Sequence, residues 1–365
     1  MDRRLLESRL AEFAADKIAG RPTLSRQTEF PADLWRKMAA LGLFGAGLPQ
    51  RFGGYGQGAR ALSAGARGLV ENGGNLGMGL SWLIHVMTGR YLIGRFGTAR
   101  QQQDFLPDIA AGTSTACLAV SEPDAGAHPK YLKTTAVENG SDYRLTGTKT
   151  YLTNGPIADI FIVIAVTDAG GPQKRYTAFL IPKATPGLTI EAPMALPFLR
   201  PAPHGTIRLE NCPAEASQIL GPAGSAYDTL VLPFREIEDI LMMGALAGGL
   251  GFQTGRLRTV SDRLDESGQN RLFDSHVALC GLRAAAEKAA LCLEAEASPA
   301  ERIDLGLYFQ SVAKDLTAGL QQINKESDHP DARVEQMAAD LSGALKIGTS
   351  AMGARKNKRR DEWLK

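Results

Sequence analysis

"LTGTKTYLTNGPIAD", residues 145–159, is the stretch of the sequence that decides the fold. Its polar and apolar residues alternate and it ends in an Asn-Gly-Pro cluster, which predicts a β-strand followed by a turn. A second stretch upstream, "SEPDAGAHPKYLKTTA" (Ser121–Ala136), joins a hydroxyl, a carboxylate and a proline to a loop of small residues. This pattern predicts a short turn with an exposed backbone just before a β-sheet begins.

The composition is that of an ordinary globular protein. The chain has 365 residues, of which 44% are hydrophobic and 22% charged, and its length suits two or three domains. A formal net charge of +2 gives no general basic surface, so we expect no nucleic-acid partner. The four cysteines are far apart and no histidine lies at metal-ligand spacing, which predicts buried free thiols, a reduced cytoplasmic setting and no metal site.

The sequence predicts neither a signal peptide nor an integral membrane segment. Charges recur every few residues at the N-terminus, where Leu5, Leu6, Leu10 and Phe13 form a helical stripe. The longest apolar stretch, Ile240–Phe252, is too short to span a bilayer and is rich in glycine. It therefore predicts a helix buried in the core.

Periodicity divides the chain into three blocks. Residues 1–115 show helical stripes, residues 116–230 show short β runs separated by turn residues, and residues 231–365 return to helical periodicity. The middle block predicts a small antiparallel sandwich or barrel, and the last block a bundle of about four helices. One of those helices should begin at Pro299, because Ser298 and Glu301 form a capping box around it. The predicted order is therefore helix, sheet, helix.

This order and the local motifs resemble the acyl-CoA dehydrogenase family of flavoproteins. The resemblance covers about the first two thirds of the chain, from "LGLFGAGLPQRFGGYG" to "CPAEASQILGPAGSAYDTL", and is strongest in "DYRLTGTKTYLTNGPIADIFIVIAVTD". It implies an N-terminal all-α domain (1–115), a middle β sandwich or barrel domain (116–230) and a C-terminal four-helix bundle domain (231–365). It also implies FAD as the cofactor and the α,β-dehydrogenation of an acyl thioester, as in fatty acid metabolism.

The resemblance implies that the two quoted stretches form a wall for the flavin ring. Ser121 and Thr153 match hydroxyl residues that meet the ring, and Tyr151 matches an aromatic residue packed beside it. This is chemically reasonable, because a flavin is a planar apolar body with a polar edge. Taken singly, each residue could instead be an ordinary turn or strand residue. The implied cofactor-binding residues are Leu118, Val120, Ser121, Gly126, Ala127, Tyr151, Thr153 and Arg263.

The catalytic base of the family has no obvious counterpart. The reaction needs a carboxylate that takes the α proton. Of the two positions at which the family carries a glutamate, one holds Ile347, in "LKIGTSAM", and the other holds Leu241 when "ALAGGLGF" is aligned. Glu238 lies one helical turn before Leu241 and is the nearest candidate base. The alternative for Glu238 is an ordinary solvated glutamate at a helix end.

The cofactor motifs also depart from the family pattern. Arg263 matches an arginine that reaches a flavin phosphate of the neighbouring subunit, but the Phe-Gly that follows it in relatives is missing. The Gly-Gly loop of the family has no room here, and Gln336 is either its remnant or a helix-surface residue. Ala127 and His128 replace the usual Ser-Asp, so Ala127 offers no hydroxyl. His128 is expected to be a solvated loop residue.

Three hypotheses follow for the function. The first is an FAD-dependent dehydrogenase of an acyl-CoA or acyl-carrier-protein thioester, passing electrons to an electron-transfer flavoprotein. The second is a non-catalytic or half-site subunit that pairs with a complete relative, which the loss of both glutamate positions favours. The third is a flavin monooxygenase or oxidase on the same fold. The resemblance also implies a homo- or hetero-oligomer, a dimer or a tetramer.

Overall fold

Helices enclose a central sheet in the order that the sequence predicts. The computed structural model describes residues 3–347 and 349–364. The N-terminal helices are α1 (Arg3–Lys17), α2 (Ala32–Ala40), α3 (Ala59–Gly73), α4 (Leu76–Met87), α5 (Gly94–Phe96) and α6 (Ala99–Ala111). The C-terminal helices are α7 (Leu232–Arg258), α8 (Glu266–Glu294), α9 (Pro299–Glu326), α10 (Ala332–Lys346) and α11 (Thr349–Trp363). The fold class is confirmed, with a fifth helix, α11, in the last block.

The middle block forms one connected, mixed sheet. Its strands are β1 (Ala116–Ala119), β2 (Thr135–Asn139), β3 (Asp142–Thr153), β4 (Ile160–Asp168), β5 (Arg175–Pro182), β6 (Leu188–Ile190), β7 (His204–Ala214) and β8 (Ile219–Leu220). They pair in the order β6-β7-β3-β2-β4-β5-β8, with β1 beside β4. β1 and β2 run parallel to β4, and the other pairs are antiparallel.

Strand β4 separates two hydrophobic cores. Because successive side chains of a strand point to opposite faces, Ile160, Ile162 and Ile164 join the large core shared with the helices. Phe161 and Val163 belong to a second core inside the β domain. The run of seven buried residues at the start of β4 is typical of a strand covered on both faces.

Glycines let helix α7 lie directly against helix α3. The apolar stretch Ile240–Phe252 lies within α7 and is buried apart from Met242, as predicted. A Cβ atom added at Gly244 would lie 2.1 Å from the carbonyl oxygen of Ser63, and one at Gly248 would lie 2.6 Å from that of Arg67. Among the described residues, no helix is both long and apolar enough to cross a membrane.

Two local predictions need correction. Cys117, Cys212 and Cys292 are buried free thiols as expected, but Cys280 is exposed on α8 because its position falls on the outer side of that helix. Helix α9 does begin at Pro299, yet the capping box is not formed. The Ser298 hydroxyl accepts from the Ala300 N–H, and Glu301 instead pairs with Lys288 on α8 at 3.0 Å.

The contact between α3 and α7 gives a test of this packing. Gly244→Ala places a methyl group against a backbone carbonyl, so we expect a loss of about 1–3 kcal/mol or more in the free energy of unfolding. Gly255→Ala is the matched control in the same helix, since nothing lies within 4 Å of an added Cβ there. We expect it to gain up to about 1 kcal/mol from helix propensity. Urea unfolding measures the free energy of unfolding of both variants. Equal changes in the two variants would contradict the close packing of α7 against α3.

Candidate functional site

The two quoted stretches meet in space. The Thr150 N–H donates to the Ser121 carbonyl at 2.8 Å, and the Cys117 thiol donates to the Thr153 carbonyl at 3.3 Å. The end of β3 therefore lies beside β1 and the turn that follows it. The prediction that these segments converge is confirmed. We call the face made by Ser121, Tyr151 and Thr153 the wall.

A bulge in β3 turns Tyr151 outward. In the pairing with β7, Lys149 lies opposite Ile207 and Leu152 opposite Gly205, so two residues of β3 face one residue of β7. Tyr151 takes up the extra residue with a left-handed φ of 57°, which is unusual for an aromatic residue. Its side chain is 56% exposed as a result.

A buried ion pair supports the turn from behind. The Lys149 ammonium donates to the Glu122 carboxylate at 2.8 Å and to the Val120 carbonyl at 2.9 Å. Glu122 also accepts from the N–H groups of Lys133, at 2.6 Å, and Thr134, at 2.9 Å. Burial acts to raise the pKa of Glu122, but the charge of Lys149 and these hydrogen bonds outweigh it and hold the pKa below its ordinary value.

The outer part of the turn is held through its backbone. Tyr227 precedes α7, and its hydroxyl donates to the Ala127 carbonyl at 2.7 Å. Gly126 has a left-handed φ of 54° and pairs with Glu122 as an isolated bridge. The carbonyls of Val120 and Ser121 already accept hydrogen bonds inside the protein, from Lys149 and from the Thr150 N–H. Ser121 can therefore offer a ligand its hydroxyl rather than its carbonyl.

A cavity lies among α4, α7, α9, α10 and α11. Its enclosed volume is about 80 Å³, and part of it is open to solvent. Apolar side chains such as Leu80, Met243 and Phe309 line it. The charged lining residues are Arg235, Glu236, Glu238, Asp239, Arg302 and Arg355.

The three acidic residues of the cavity differ in how well they are neutralised. Asp239 contacts Arg235 at 2.9 Å and Arg355 at 2.7 Å, and Glu236 contacts Arg302 at 2.6 Å. Glu238 has only Arg235, at 3.7 Å. Burial, the largest effect, raises the pKa of Glu238 above its ordinary value despite the opposing charge of Arg235. Glu238 is thus the carboxylate best suited to accept a proton.

Two connections join the cavity to the wall. Leu80 lines the cavity, and the carbonyl of the next residue, Ser81, accepts from the Asn154 amide at 2.9 Å. Leu199 also lines the cavity, and the chain from Leu199 continues to His204, which pairs with Thr153. Through Ser81 and the segment from Leu199 to His204, the cavity is connected to the end of β3.

A buried aspartate fixes the segment that connects cavity and wall. Asp340 on α10 accepts from the Leu199 N–H at 2.8 Å, where Leu199 has a left-handed φ of 60°. Burial raises the pKa of Asp340 to about 6, against hydrogen bonds from Leu199 and Gln336. Sequence reasoning missed Asp340, Glu122 and Lys149. Of the three, only Asp340 carries a local signal, a charged residue within the apolar helix pattern of α10.

The other predicted residues fall as follows. Ile347 ends α10 and lines the cavity, while Gly348, which follows it in the quoted motif, lies outside the described residues. Leu241 is fully buried. Arg263 is exposed in the turn between α7 and α8. Gln336 lies on α10 and donates to Asp340 at 3.3 Å, so it is more than a surface residue.

The wall fits a flavin. In the part of the chain that the structure describes, neither the Ser121 nor the Thr153 hydroxyl has a hydrogen-bond partner, although both residues are half-buried. Beside them stands the exposed Tyr151 ring. Free hydroxyl groups at one edge and an aromatic surface next to them match a planar ligand with a polar rim. The α–β–α order and this wall are typical of flavin-binding proteins.

Sequence comparisons identify the family within this class. Family models of the acyl-CoA dehydrogenase N-terminal domain and middle domain match residues 1–113 and 117–212. The probable acyl-CoA dehydrogenase YngJ of Bacillus subtilis (strain 168) is 32% identical over 222 residues, which are 60% of this chain and 58% of that protein. The chain belongs to the acyl-CoA dehydrogenase family. The aligned part spans less than two thirds of that relative's length.

Solved structures share the fold over nearly the whole chain. The prolyl acyl carrier protein oxidase AnaB matches with a TM-score of 0.84 at 25% identity, over 94% of each chain. The FAD complex of PigA matches with a TM-score of 0.85 at 22% identity, over 99% of this chain and 100% of that chain.

Asp340 gives a prediction of pH dependence. Its folded pKa lies above the unfolded value of 3.8, so the native state binds more protons and its stability falls as the pH rises from about 4 to 6. The shift corresponds to about 3 kcal/mol. Asp340→Asn keeps an acceptor for Leu199 and should flatten this fall in urea unfolding between pH 4 and 7. Asp340→Ala leaves the Leu199 N–H unpaired, so this variant should be less stable than the wild type at every pH in that range. If the stability of Asp340→Asn changed with pH as that of the wild type does, the raised pKa of Asp340 would be contradicted.

Proposed function

We propose that this protein is an FAD-dependent oxidoreductase that introduces an α,β double bond into an acyl thioester. The observation that carries the proposal is the wall, connected through Ser81 and Leu199 to a cavity with one poorly neutralised carboxylate. Relatives named acyl-CoA dehydrogenase, and a structural neighbour solved as an FAD complex, support it. The acyl group and its carrier are part of the proposal only as a class, a thioester of CoA or of an acyl carrier protein.

The residues of the wall would hold the flavin. Ser121 and Thr153 would donate their free hydroxyl groups to the polar edge of the ring, and Tyr151 would pack beside it. Leu118, Val120, Gly126 and Ala127 would line the turn around the same edge. Arg263, exposed between α7 and α8, is accessible to a phosphate bound by a neighbouring subunit.

Glu238 would act as the general base. Its carboxylate takes the proton from the α carbon of the acyl group, and the electron pair left behind forms the double bond with the β carbon. When bound, FAD supplies the acceptor for the hydride that the β carbon loses. Glu236 and Asp239 each have an arginine within 2.9 Å, whereas Glu238 has only the longer contact with Arg235.

An oxidase is the second candidate. It is favoured by the likeness to the prolyl acyl carrier protein oxidase AnaB, at 25% identity over 94% of the chain. The same likeness favours a carrier-protein thioester over free acyl-CoA. Stopped-flow reoxidation of the substrate-reduced flavin by oxygen separates the two candidates, since a dehydrogenase reoxidises slowly without an electron-transfer flavoprotein. The electron-transfer flavoprotein and the dimeric or tetrameric state stay predictions.

FAD binding tests the wall. Purified protein should show flavin absorbance or take up added FAD. We expect Ser121→Ala and Thr153→Val each to weaken the Kd about 2- to 10-fold, because each removes one hydrogen bond of about 0.5–1.5 kcal/mol. Thr135→Val, an exposed hydroxyl on β2, is the matched control and should leave the Kd unchanged. Wild-type protein that binds no FAD would overturn the proposal and favour the partner-subunit hypothesis.

Flavin reduction tests the base. Under anaerobic conditions, a panel of acyl-CoA and acyl-carrier-protein thioesters should bleach the bound flavin of the wild-type protein. Glu238→Gln should slow this step by about 10²- to 10⁴-fold while FAD content stays the same. Glu236→Gln, the neighbouring carboxylate held by Arg302, should slow it far less. A Glu238→Gln variant that reacts at the wild-type rate places the base elsewhere.

A further inference from the structure

The Glu122–Lys149 pair differs from the other ion pairs of the described residues in its burial. The Lys149 and Glu122 side chains are 1% and 5% exposed. Every other ion pair that the structure gives keeps both side chains at least 13% exposed. Such a pair is expensive to bury, and an apolar pair of similar volume is often at least as stable. Stability alone therefore gives no reason for its presence here.

The position of the pair suggests another role. Glu122 directly follows Ser121, and Lys149 directly precedes Thr150, whose N–H holds the Ser121 carbonyl. Tyr151 comes next. Glu122 is thus the chain neighbour of one wall residue, and Lys149 lies two positions before another; both side chains are buried.

The hydrogen bonds of the pair fix the backbone at three places. Lys149 binds the Val120 carbonyl, immediately before Ser121. Glu122 binds the N–H groups of Lys133 and Thr134, where the chain leaves the turn. The beginning of the turn, its end and strand β3 are therefore joined at one point. An ammonium with three donors and a carboxylate with several acceptor sites can make all these contacts at once.

The bulge makes this support necessary. A left-handed tyrosine costs about 1–2 kcal/mol, so the Tyr151 backbone keeps that conformation only when its surroundings hold it there. The contacts on the N-terminal side of Tyr151 come from Lys149 and Thr150. Without the charged pair, the strand can relax toward regular pairing with β7, which would turn Tyr151 away from the wall.

We propose that Glu122 and Lys149 form a positioning pair that shapes the wall for the flavin. The proposal rests on the proposed FAD binding. Neither residue touches the flavin in this account; they act by holding Ser121 and Tyr151 in the geometry that receives it.

A set of variants separates positioning from stability. Lys149→Met and Glu122→Gln each leave one buried group without its partner, so both should unfold at a lower temperature. The double variant Glu122→Gln/Lys149→Met leaves no unpaired charge and should recover most of the thermal stability. We nevertheless expect its FAD Kd to stay at least about 10-fold weaker than that of the wild type. The visible circular dichroism of its bound flavin should also differ.

A measurement without FAD checks the same geometry. Amide hydrogen exchange of residues 121–127 and 150–153 should be faster in the double variant, while exchange in β5 stays the same. Lys149→Arg, which keeps the charge and the donors, should restore exchange and FAD affinity in part. The exposed pair Arg208–Glu191, at 2.9 Å in the same domain, is the control: Glu191→Gln/Arg208→Met should change none of these readouts.

The outcomes discriminate between the two proposals. A double variant with wild-type FAD Kd, flavin spectrum and exchange would overturn the positioning role while leaving FAD binding intact. A wild-type protein that takes up no FAD would overturn both. Should the single variants fail to fold, the double variant and Lys149→Arg still give the comparison.

Discussion

The hydrogen bond from the Thr150 N–H to the Ser121 carbonyl is the contact on which the candidate site depends. It joins two segments that are 29 positions apart in the chain, together with the contacts from Cys117 to Thr153 and from Lys149 to Val120. Thr150 and Tyr151 of β3 together oppose one residue of β7, and Thr150 is the residue tied to the turn. The bulge, the exposed Tyr151 ring and the connection to Ser121 therefore occur at the same point of β3.

The segment from Met194 to His204 connects the end of β3 to the helices. Its last residue pairs with Thr153, and its middle is held by Asp340 on α10 and by the Asn75 amide, which donates to the Arg200 carbonyl at 3.1 Å. A substrate in the cavity would therefore lie between groups that belong to different domains. Hydrogen bonds from buried polar groups hold this segment, and the segment therefore helps to fix the position of one domain against the other.

The sequence predicted the parts of the molecule that local patterns control. The strand predicted from "LTGTKTYLTNGPIAD" ends at Thr153, before the Asn-Gly-Pro turn, and α9 begins at its proline. It did not predict what depends on distant partners. Glu301 has the spacing of a capping residue, but it forms an ion pair with Lys288 on another helix instead. Likewise, nothing local distinguishes Lys149 from an ordinary strand lysine, because its partner lies in a turn 27 residues away.

The same distinction explains why a search by position found no base. An alignment identifies only the residue at one position of a helix. A general base must be a carboxylate that faces the cavity and whose negative charge has few neutralising partners. The charged residues of α7 that line the cavity are Arg235, Glu236, Glu238 and Asp239. Among the three acids, Glu238 has the longest contact with an arginine, and its burial outweighs the opposing charge of Arg235. A raised pKa follows from this arrangement, whichever residue relatives use at the aligned point.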